Sequence, residues 1–131
     1  MIRVLIVDDH PLFRAGLTSL LETVPDVEVV GEAVDGDSAV SATLELRPDV
    51  VLMDLNLPRT PGLEATRRIV AEKPADGRPW IVAMTANAMD GDREKCLEAG
   101  MMGYISKPIR PNELADALMT TPPARELPQA H

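Results

Sequence analysis

The stretch Asp49-Val50-Val51-Leu52-Met53-Asp54 decides the predicted fold of this chain. Its four central residues are all apolar, and a strand that is apolar on both faces is typical of a parallel sheet covered by helices. The run stops at Asp54, and the next segment, residues 57–62, contains two prolines and one glycine, which predicts a loop. The sequence therefore predicts a buried central strand with a carboxylate at its carboxyl end.

The same alternation of short apolar runs and helix-patterned stretches extends in both directions from this segment. The predicted strands cover residues 4–7, 27–31, 50–53, 80–84 and 103–106, and the predicted helices cover 11–24, 38–46, 63–71, 90–99 and 113–119, with Asn112 as the N-cap of the last. Five strand–helix pairs in series favour an α/β fold with a doubly wound, five-stranded parallel sheet.

Size and composition indicate a single acidic domain. The chain has 131 residues and a formal net charge of −8, which disfavours binding to nucleic acids or to anionic membranes. We assign residues 1–119 to the domain and 120–131, with three prolines, to a disordered tail or linker. No segment resembles a signal peptide or approaches the roughly 20 apolar residues of a membrane span, so we expect a cytoplasmic protein.

Polar side chains follow four of the five predicted strands at the point where each strand ends. These residues are Asp8 and Asp9 after the first strand, Asp54 after the third, Thr85 after the fourth and Lys107 after the fifth. The carboxyl ends of parallel strands share one edge of the sheet, where ligands of such folds bind. Three carboxylates together repel each other unless a cation compensates, and Mg²⁺ prefers oxygen ligands of this kind.

The chemistry of this residue set favours phosphoryl transfer to a carboxylate. Each residue taken alone also fits a helix cap or a turn, and only the joint placement points to a shared ionic site. Alternation along the strand places His10 away from the pocket, which disfavours Ser/His/Asp hydrolysis. No glycine-rich phosphate loop follows the first strand. An aspartyl nucleophile beside Mg²⁺ and a lysine is a known arrangement for phosphoryl transfer.

Four motifs resemble those of the receiver domains of bacterial response regulators, the CheY-like superfamily, and the resemblance covers about residues 2–119. The motifs lie at Val4–Pro11, Asp49–Pro58, Ala83–Asn87 and Gly103–Pro108. The resemblance implies the strand order 2-1-3-4-5. The stretch from Asp8 to Leu17 is similar to regulators with a C-terminal helix-turn-helix output, whereas residues 84–100 are similar to receivers attached to hybrid sensor kinases, so the output domain stays open.

The resemblance also implies a role for each residue of the acidic group. Asp54 would accept a phosphoryl group from a phosphohistidine of a sensor histidine kinase or a phosphotransfer protein. Asp9 and Asp54 would bind Mg²⁺ directly, with Mn²⁺ as a substitute. Asp8 would act mostly through water, and the backbone carbonyl of Asn56 would supply a further ligand.

The remaining implied roles concern the switch that follows phosphorylation. Lys107 would contact one phosphoryl oxygen, and the Lys107–Pro108 peptide bond would be cis. Thr85 would bind another phosphoryl oxygen, and Tyr104 would move toward the space that Thr85 leaves. The domain would then control a C-terminal output domain absent from this chain, or form a homodimer. It would be a signalling switch and no enzyme beyond its own phosphorylation and dephosphorylation.

There are three rival interpretations, and the first of them keeps the receiver fold. An atypical receiver would serve as a protein-binding module without phosphorylation, which the complete residue set disfavours. A Mg²⁺-dependent phosphatase usually has a second acid two residues after the nucleophile, where this chain has Asn56. A flavodoxin-type redox protein would need a phosphate-binding loop. The segment Arg59-Thr60-Pro61-Gly62 departs from the receiver pattern while keeping its glycine.

Overall fold

The computed structural model describes residues 2–72, 79–85, 90–106 and 109–119. Strands and helices alternate strictly, as the sequence predicted. The strands are β1 (Ile2–Val7), β2 (Val27–Ala33), β3 (Val50–Asp54), β4 (Trp80–Thr85) and β5 (Gly103–Ser106), and the helices are α1 (Pro11–Glu22), α2 (Gly36–Leu46), α3 (Gly62–Glu72), α4 (Asp90–Ala99) and α5 (Pro111–Met119).

The five strands form one parallel sheet in the order β2-β1-β3-β4-β5, which confirms the predicted topology. β3 lies at the centre, and its residues from Val50 to Met53 are completely buried. From β1 the chain continues to β2 at one edge of the sheet, and from β3 it continues through β4 to β5 at the other edge. The strand order therefore reverses between the neighbouring strands β1 and β3. The crevice at their carboxyl ends is the usual ligand-binding position of this architecture.

Side chains of the central strands alternate between two hydrophobic clusters, one on each face of the sheet. Leu5 and Val51 belong to the cluster that also contains Ile69 of α3, whereas Ile6 and Leu52 belong to the cluster with residues of α1 and α5. Burial of each large aliphatic side chain contributes about 1.5–3 kcal/mol relative to exposure. The continuous apolar run in β3 is explained by this coverage on both faces.

Two helices, α2 and α5, begin two residues before their predicted starts, and α3 begins one residue before its predicted start. α2 begins at Gly36, because the Asp35 carboxylate accepts a hydrogen bond of 2.8 Å from the backbone N–H of Ser38 and forms a capping box. α5 begins at Pro111, so the prediction of Asn112 as its N-cap is wrong; the fixed φ of proline suits a first helical position. Asp54 is the last residue of β3 rather than the first residue after it.

Several sequence predictions fall outside the described residues. The tail at 120–131, Lys107 and Pro108 are among them, so the domain boundary and the cis peptide bond stay predictions. Within the described part of the chain, no helix has both the length and the apolar character needed to cross a lipid bilayer.

Candidate functional site

Three aspartates meet at the carboxyl ends of β1 and β3. Ligand atoms of Asp8, Asp9 and Asp54 all lie within 4.8 Å of one another, together with a ring nitrogen of His10. Asp8 and Asp54 are buried, and the side chain of Asp9 is about one-third exposed at 32%. The structure thus brings together the three carboxylates that the sequence analysis selected.

The local chain path holds Asp54 in place at the end of β3. The backbone N–H of Asn56 donates a hydrogen bond of 3.2 Å to Asp54 Oδ1, and the backbone N–H of Leu55 donates to the carbonyl of Met84 on β4. Gly62 packs against the same residue, since a Cβ at this position would lie 2.2 Å from the Asp54 carbonyl oxygen. The retained glycine of the β3–α3 loop is therefore a steric requirement of the site.

Asp8 is fixed by contacts to two elements, the end of β2 and α1. Its backbone N–H donates to the carbonyl of Ala33 at the end of β2, and Arg14 Nη1 of α1 donates a hydrogen bond of 2.7 Å to the Asp8 carbonyl. Arg14 also binds Glu32 through Nε at 2.8 Å. Arg14 therefore joins α1 to the ends of β1 and β2 beside the acidic group, a role that was not predicted from the sequence.

His10 lies at the site, so the prediction that it points away is wrong. Its Nδ1 is 3.1 Å from both Asp8 Oδ1 and Asp9 Oδ1. The strand β1 ends at Val7, and Asp8 Oδ1 accepts a hydrogen bond from the His10 backbone N–H, which turns the chain toward α1. The alternation of side chains along a strand therefore does not continue to His10.

The donor set of this group fits a hard divalent cation. Asp9 Oδ1 is shielded from solvent and makes no hydrogen bond within the described residues, although His10 Nδ1 lies nearby. Carboxylate oxygens are the ligands that Mg²⁺ prefers, and Mg²⁺ needs only one or two of them because it retains several waters. Asp8, Asp9, Asp54 and the carbonyl of Asn56 are the residues that would hold it.

Thr85 lies on β4, the neighbour of β3, and Tyr104 lies on β5, one strand further from the acidic group. Thr85 is buried at the carboxyl end of β4, and Tyr104 is partly buried on β5. Tyr104 pairs in register with Ala83, two residues before Thr85, which pairs with Ser106. Lys107, the fifth member of the predicted group, lies outside the described residues.

Comparison with known proteins decides the family. The model of the response regulator receiver domain matches residues 4–119. The chain belongs to the response regulator receiver domain family. Among curated proteins, it is 43% identical over 118 residues to the transcriptional regulatory protein LiaR of Bacillus subtilis, a match that covers 90% of this chain and 54% of LiaR. It is also 43% identical over 118 residues to the response regulator UvrY of Escherichia coli, covering 90% of this chain and 53% of UvrY.

Solved structures agree with this assignment. A response regulator of the LuxR family from Aurantimonas superposes with a TM-score of 0.84 at 39% identity, covering 92% of this chain and 84% of that chain. The receiver domain of the sensor histidine kinase PA1611 from Pseudomonas aeruginosa, with a magnesium ion coordinated in its active site cleft, gives a TM-score of 0.80 at 38% identity, covering 92% and 96%. This receiver domain spans about half the length of the curated relatives it matches.

Proposed function

We propose that this receiver domain accepts a phosphoryl group on Asp54 from a phosphohistidine of a sensor histidine kinase or a phosphotransfer protein. The observation that carries the proposal is the burial of Asp54 at the end of the central strand, within 4.8 Å of the carboxylates of Asp8 and Asp9. Three neighbouring like charges, two of them buried, are costly unless a cation compensates them.

The transfer needs in-line positioning of the acceptor more than acid–base chemistry. A carboxylate oxygen of Asp54 attacks phosphorus, an O–P bond forms, and the N–P bond to the donor imidazole breaks. The imidazole nitrogen keeps the electron pair of the broken bond and takes a proton from solvent. The hydrogen bond from the Asn56 backbone to Asp54 Oδ1 orients the carboxylate for this attack.

Mg²⁺ held by Asp8, Asp9, Asp54 and the Asn56 carbonyl would supply the positive charge that the phosphoryl oxygens and the carboxylates require. Mn²⁺ has similar ligand preferences and would substitute. Lys107, which follows β5 in the sequence, would neutralise a further phosphoryl oxygen. Direct ligation by Asp9 and Asp54, and participation of Asp8 through water, remain parts of this proposal.

The phosphoryl group would act as a switch. It adds negative charge and strong acceptor oxygens beside Thr85, whose hydroxyl would hydrogen-bond to it. Movement of Thr85 would free space beside β5, and Tyr104 would move inward from its partly buried position. The change would reach the surface formed by α4, β5 and α5, where a partner would bind.

The length of the curated relatives bears on which partner the receiver domain would control. The curated relatives LiaR and UvrY are about twice as long as the matched region, and one similar structure is described as a LuxR-family regulator. We propose a C-terminal output domain or a second receiver as the controlled partner, in the cytoplasm. The acidic receiver itself, at net charge −8, is not expected to bind nucleic acid.

Labelling by a small phosphodonor in the presence of Mg²⁺ tests the proposal. We expect one phosphoryl group per wild-type chain in intact-mass spectrometry and none in Asp54→Asn. Asp26→Asn is the matched control, because Asp26 is exposed at the start of β2 and has a positive φ that Asn tolerates. Undiminished labelling of Asp54→Asn would overturn the assignment.

A further inference from the structure

The β3–α3 loop reaches across to the start of α2 and is held there by side chains. Thr60 Oγ1 donates a hydrogen bond of 2.6 Å to Asp37 Oδ1, and Arg68 Nη1 of α3 donates to the same oxygen at 2.9 Å. Hydrogen bonds to an ionised carboxylate are stronger than those between neutral groups. We call Asp37, Thr60 and Arg68 the loop clamp, since together they tie the loop to both α2 and α3.

Backbone packing reinforces the loop clamp. A Cβ at Gly36, the first residue of α2, would lie 1.9 Å from the carbonyl oxygen of Thr60, so the loop backbone rests directly on this glycine. Arg59 has a φ of 66° and places its Nε 3.8 Å from Asp35 Oδ2 and 4.0 Å from Asp37 Oδ2. The part of the loop that departs from the receiver pattern is therefore the part that contacts α2.

The other end of the same loop lies in the acidic site. Asn56 donates its backbone N–H to Asp54 Oδ1, and Gly62 donates its backbone N–H to the carbonyl of Leu55 at 3.2 Å. Asn56 precedes Thr60 by only four residues. The position of the Asn56 carbonyl therefore depends on where the loop clamp holds the far end of the loop.

The contacts of the loop clamp favour the ionised form of Asp37. The hydrogen bond from Thr60, followed by that from Arg68, lowers the pKa of Asp37 below its ordinary value. The side chains of Asp37 and Arg68 are about half exposed, at 51% and 47%, so water competes for these contacts. We therefore expect the loop clamp to contribute little to the stability of the fold and to act mainly on the position of the β3–α3 loop.

We propose that Asp37, Thr60 and Arg68 are positioning residues that set the Mg²⁺ affinity of the acidic site through the Asn56 carbonyl. The inference rests on the proposed function, because it takes the metal site of that proposal as its object. None of the three residues belongs to the acidic group itself. Partners that orient a metal ligand commonly change metal affinity by about 10–100-fold when they are removed.

Metal titrations of matched variants test this inference. Thr60→Val removes the hydroxyl at nearly constant volume, and Arg68→Ala removes the second donor. We expect each to weaken Mg²⁺ binding by about threefold to tenfold, at the low end of such effects because the contacts are half exposed. Binding is measured by displacement of Mn²⁺, whose free form gives an electron paramagnetic resonance signal.

Two controls separate positioning from general damage. Arg67→Ala removes a neighbouring exposed arginine that pairs only with Glu64 among the described residues, and Glu45→Gln removes an exposed carboxylate at the far end of α2. Both are expected to bind Mg²⁺ as the wild type does. Thr60→Ser keeps the hydroxyl and is expected to restore most of the affinity that Thr60→Val loses, which a merely steric role of Thr60 would not produce.

The outcomes distinguish this inference from the proposed function. Wild-type affinity in both Thr60→Val and Arg68→Ala, or equal losses in Thr60→Ser and Thr60→Val, would overturn the loop clamp as a positioning device. Absence of Mg²⁺ binding by the wild type would also overturn it. A wild-type chain that binds Mg²⁺ but accepts no phosphoryl group would overturn the proposed function and leave the affinity test of the loop clamp decisive.

Discussion

His10 contacts Asp8 in two ways: its backbone N–H donates to Asp8 Oδ1 at 2.8 Å, and its Nδ1 lies 3.1 Å from the same oxygen. Nδ1 is equally far from Asp9 Oδ1. The imidazole is 67% exposed, so it can approach or leave the carboxylates with little steric hindrance. A nitrogen donor atom therefore lies at the edge of a site whose other donor atoms are oxygens.

This arrangement predicts that His10 affects the choice of metal. Imidazole is a good ligand for transition metals, whereas Mg²⁺ prefers oxygen. We expect His10→Ala to lower the affinity for Co²⁺ by about tenfold and to change that for Mg²⁺ by less than about twofold. Isothermal titration calorimetry with each metal measures both values, and His131→Ala, in the chain's other histidine, is the control. Equal losses for the two metals would contradict a ligand role for His10.

Mg²⁺ should stabilise the folded domain through Asp9. A ligand that binds only the folded state adds about 2.7 kcal/mol to the free energy of unfolding at a hundredfold excess over its dissociation constant. Asp9→Asn is expected to lose most of this gain while remaining at least as stable as the wild type without metal, since it removes one of three neighbouring like charges. Urea unfolding with and without Mg²⁺ measures both quantities.

Asp26→Asn is the control for this experiment and should keep the full Mg²⁺ effect. A metal-free Asp9→Asn variant that is markedly less stable than the wild type would show that Asp9 contributes to the fold in another way. Stabilisation by Mg²⁺ of the same size in Asp9→Asn and in the wild type would argue against Asp9 as a metal ligand.

Tyr104 offers a direct readout of the proposed switch. It is the only tyrosine of the sequence, so isotopically labelled tyrosine gives a single side-chain signal in nuclear magnetic resonance. We expect this signal to shift when Mg²⁺ and beryllofluoride, a phosphoryl mimic, are added. Thr85→Ala should reduce the shift because Tyr104 then has no phosphoryl-dependent motion of Thr85 to follow. A shift of full size in Thr85→Ala would show that the response of Tyr104 does not depend on Thr85.

Acid should weaken the loop clamp in a defined direction. The hydrogen bonds from Thr60 and Arg68 lower the pKa of Asp37, so the carboxylate stabilises the folded state above its unfolded pKa of about 3.9. This contribution is lost as the pH falls through the lowered pKa of the folded state. We expect Thr60→Val to raise the pKa of Asp37 toward its ordinary value, as measured from the carboxyl carbon shift against pH. An unchanged pKa would mean that the Thr60 hydrogen bond is not formed in solution.

Much of the site could be predicted from the sequence because parallel strands bring their carboxyl ends to one edge. Asp8, Asp9 and Asp54 needed only correct strand ends to be placed together, and the continuous apolar run of β3 identified the central strand. The strand order itself depended on resemblance to a family, since apolar runs indicate that strands are buried but not which strands are neighbours.

Other features had no signal in the sequence. His10 was misplaced because a hydrogen bond from its own backbone to Asp8 ends the strand alternation, and such local turns compete with regular structure. Asp37 meets Thr60 and Arg68 across 23 and 31 residues, and no periodicity relates positions so far apart. Arg14 was given no role from the sequence, although it binds the Asp8 carbonyl.

Chemical mapping of the phosphoryl group tests the central claim most directly. The wild-type chain is incubated with a small phosphodonor and Mg²⁺, and borohydride then reduces any aspartyl phosphate to homoserine, which tandem mass spectrometry locates. We expect one reduced residue at position 54 and none when Mg²⁺ is withheld. Homoserine at Asp8 or Asp9, or no reduced residue in a folded, Mg²⁺-bound chain, would contradict it.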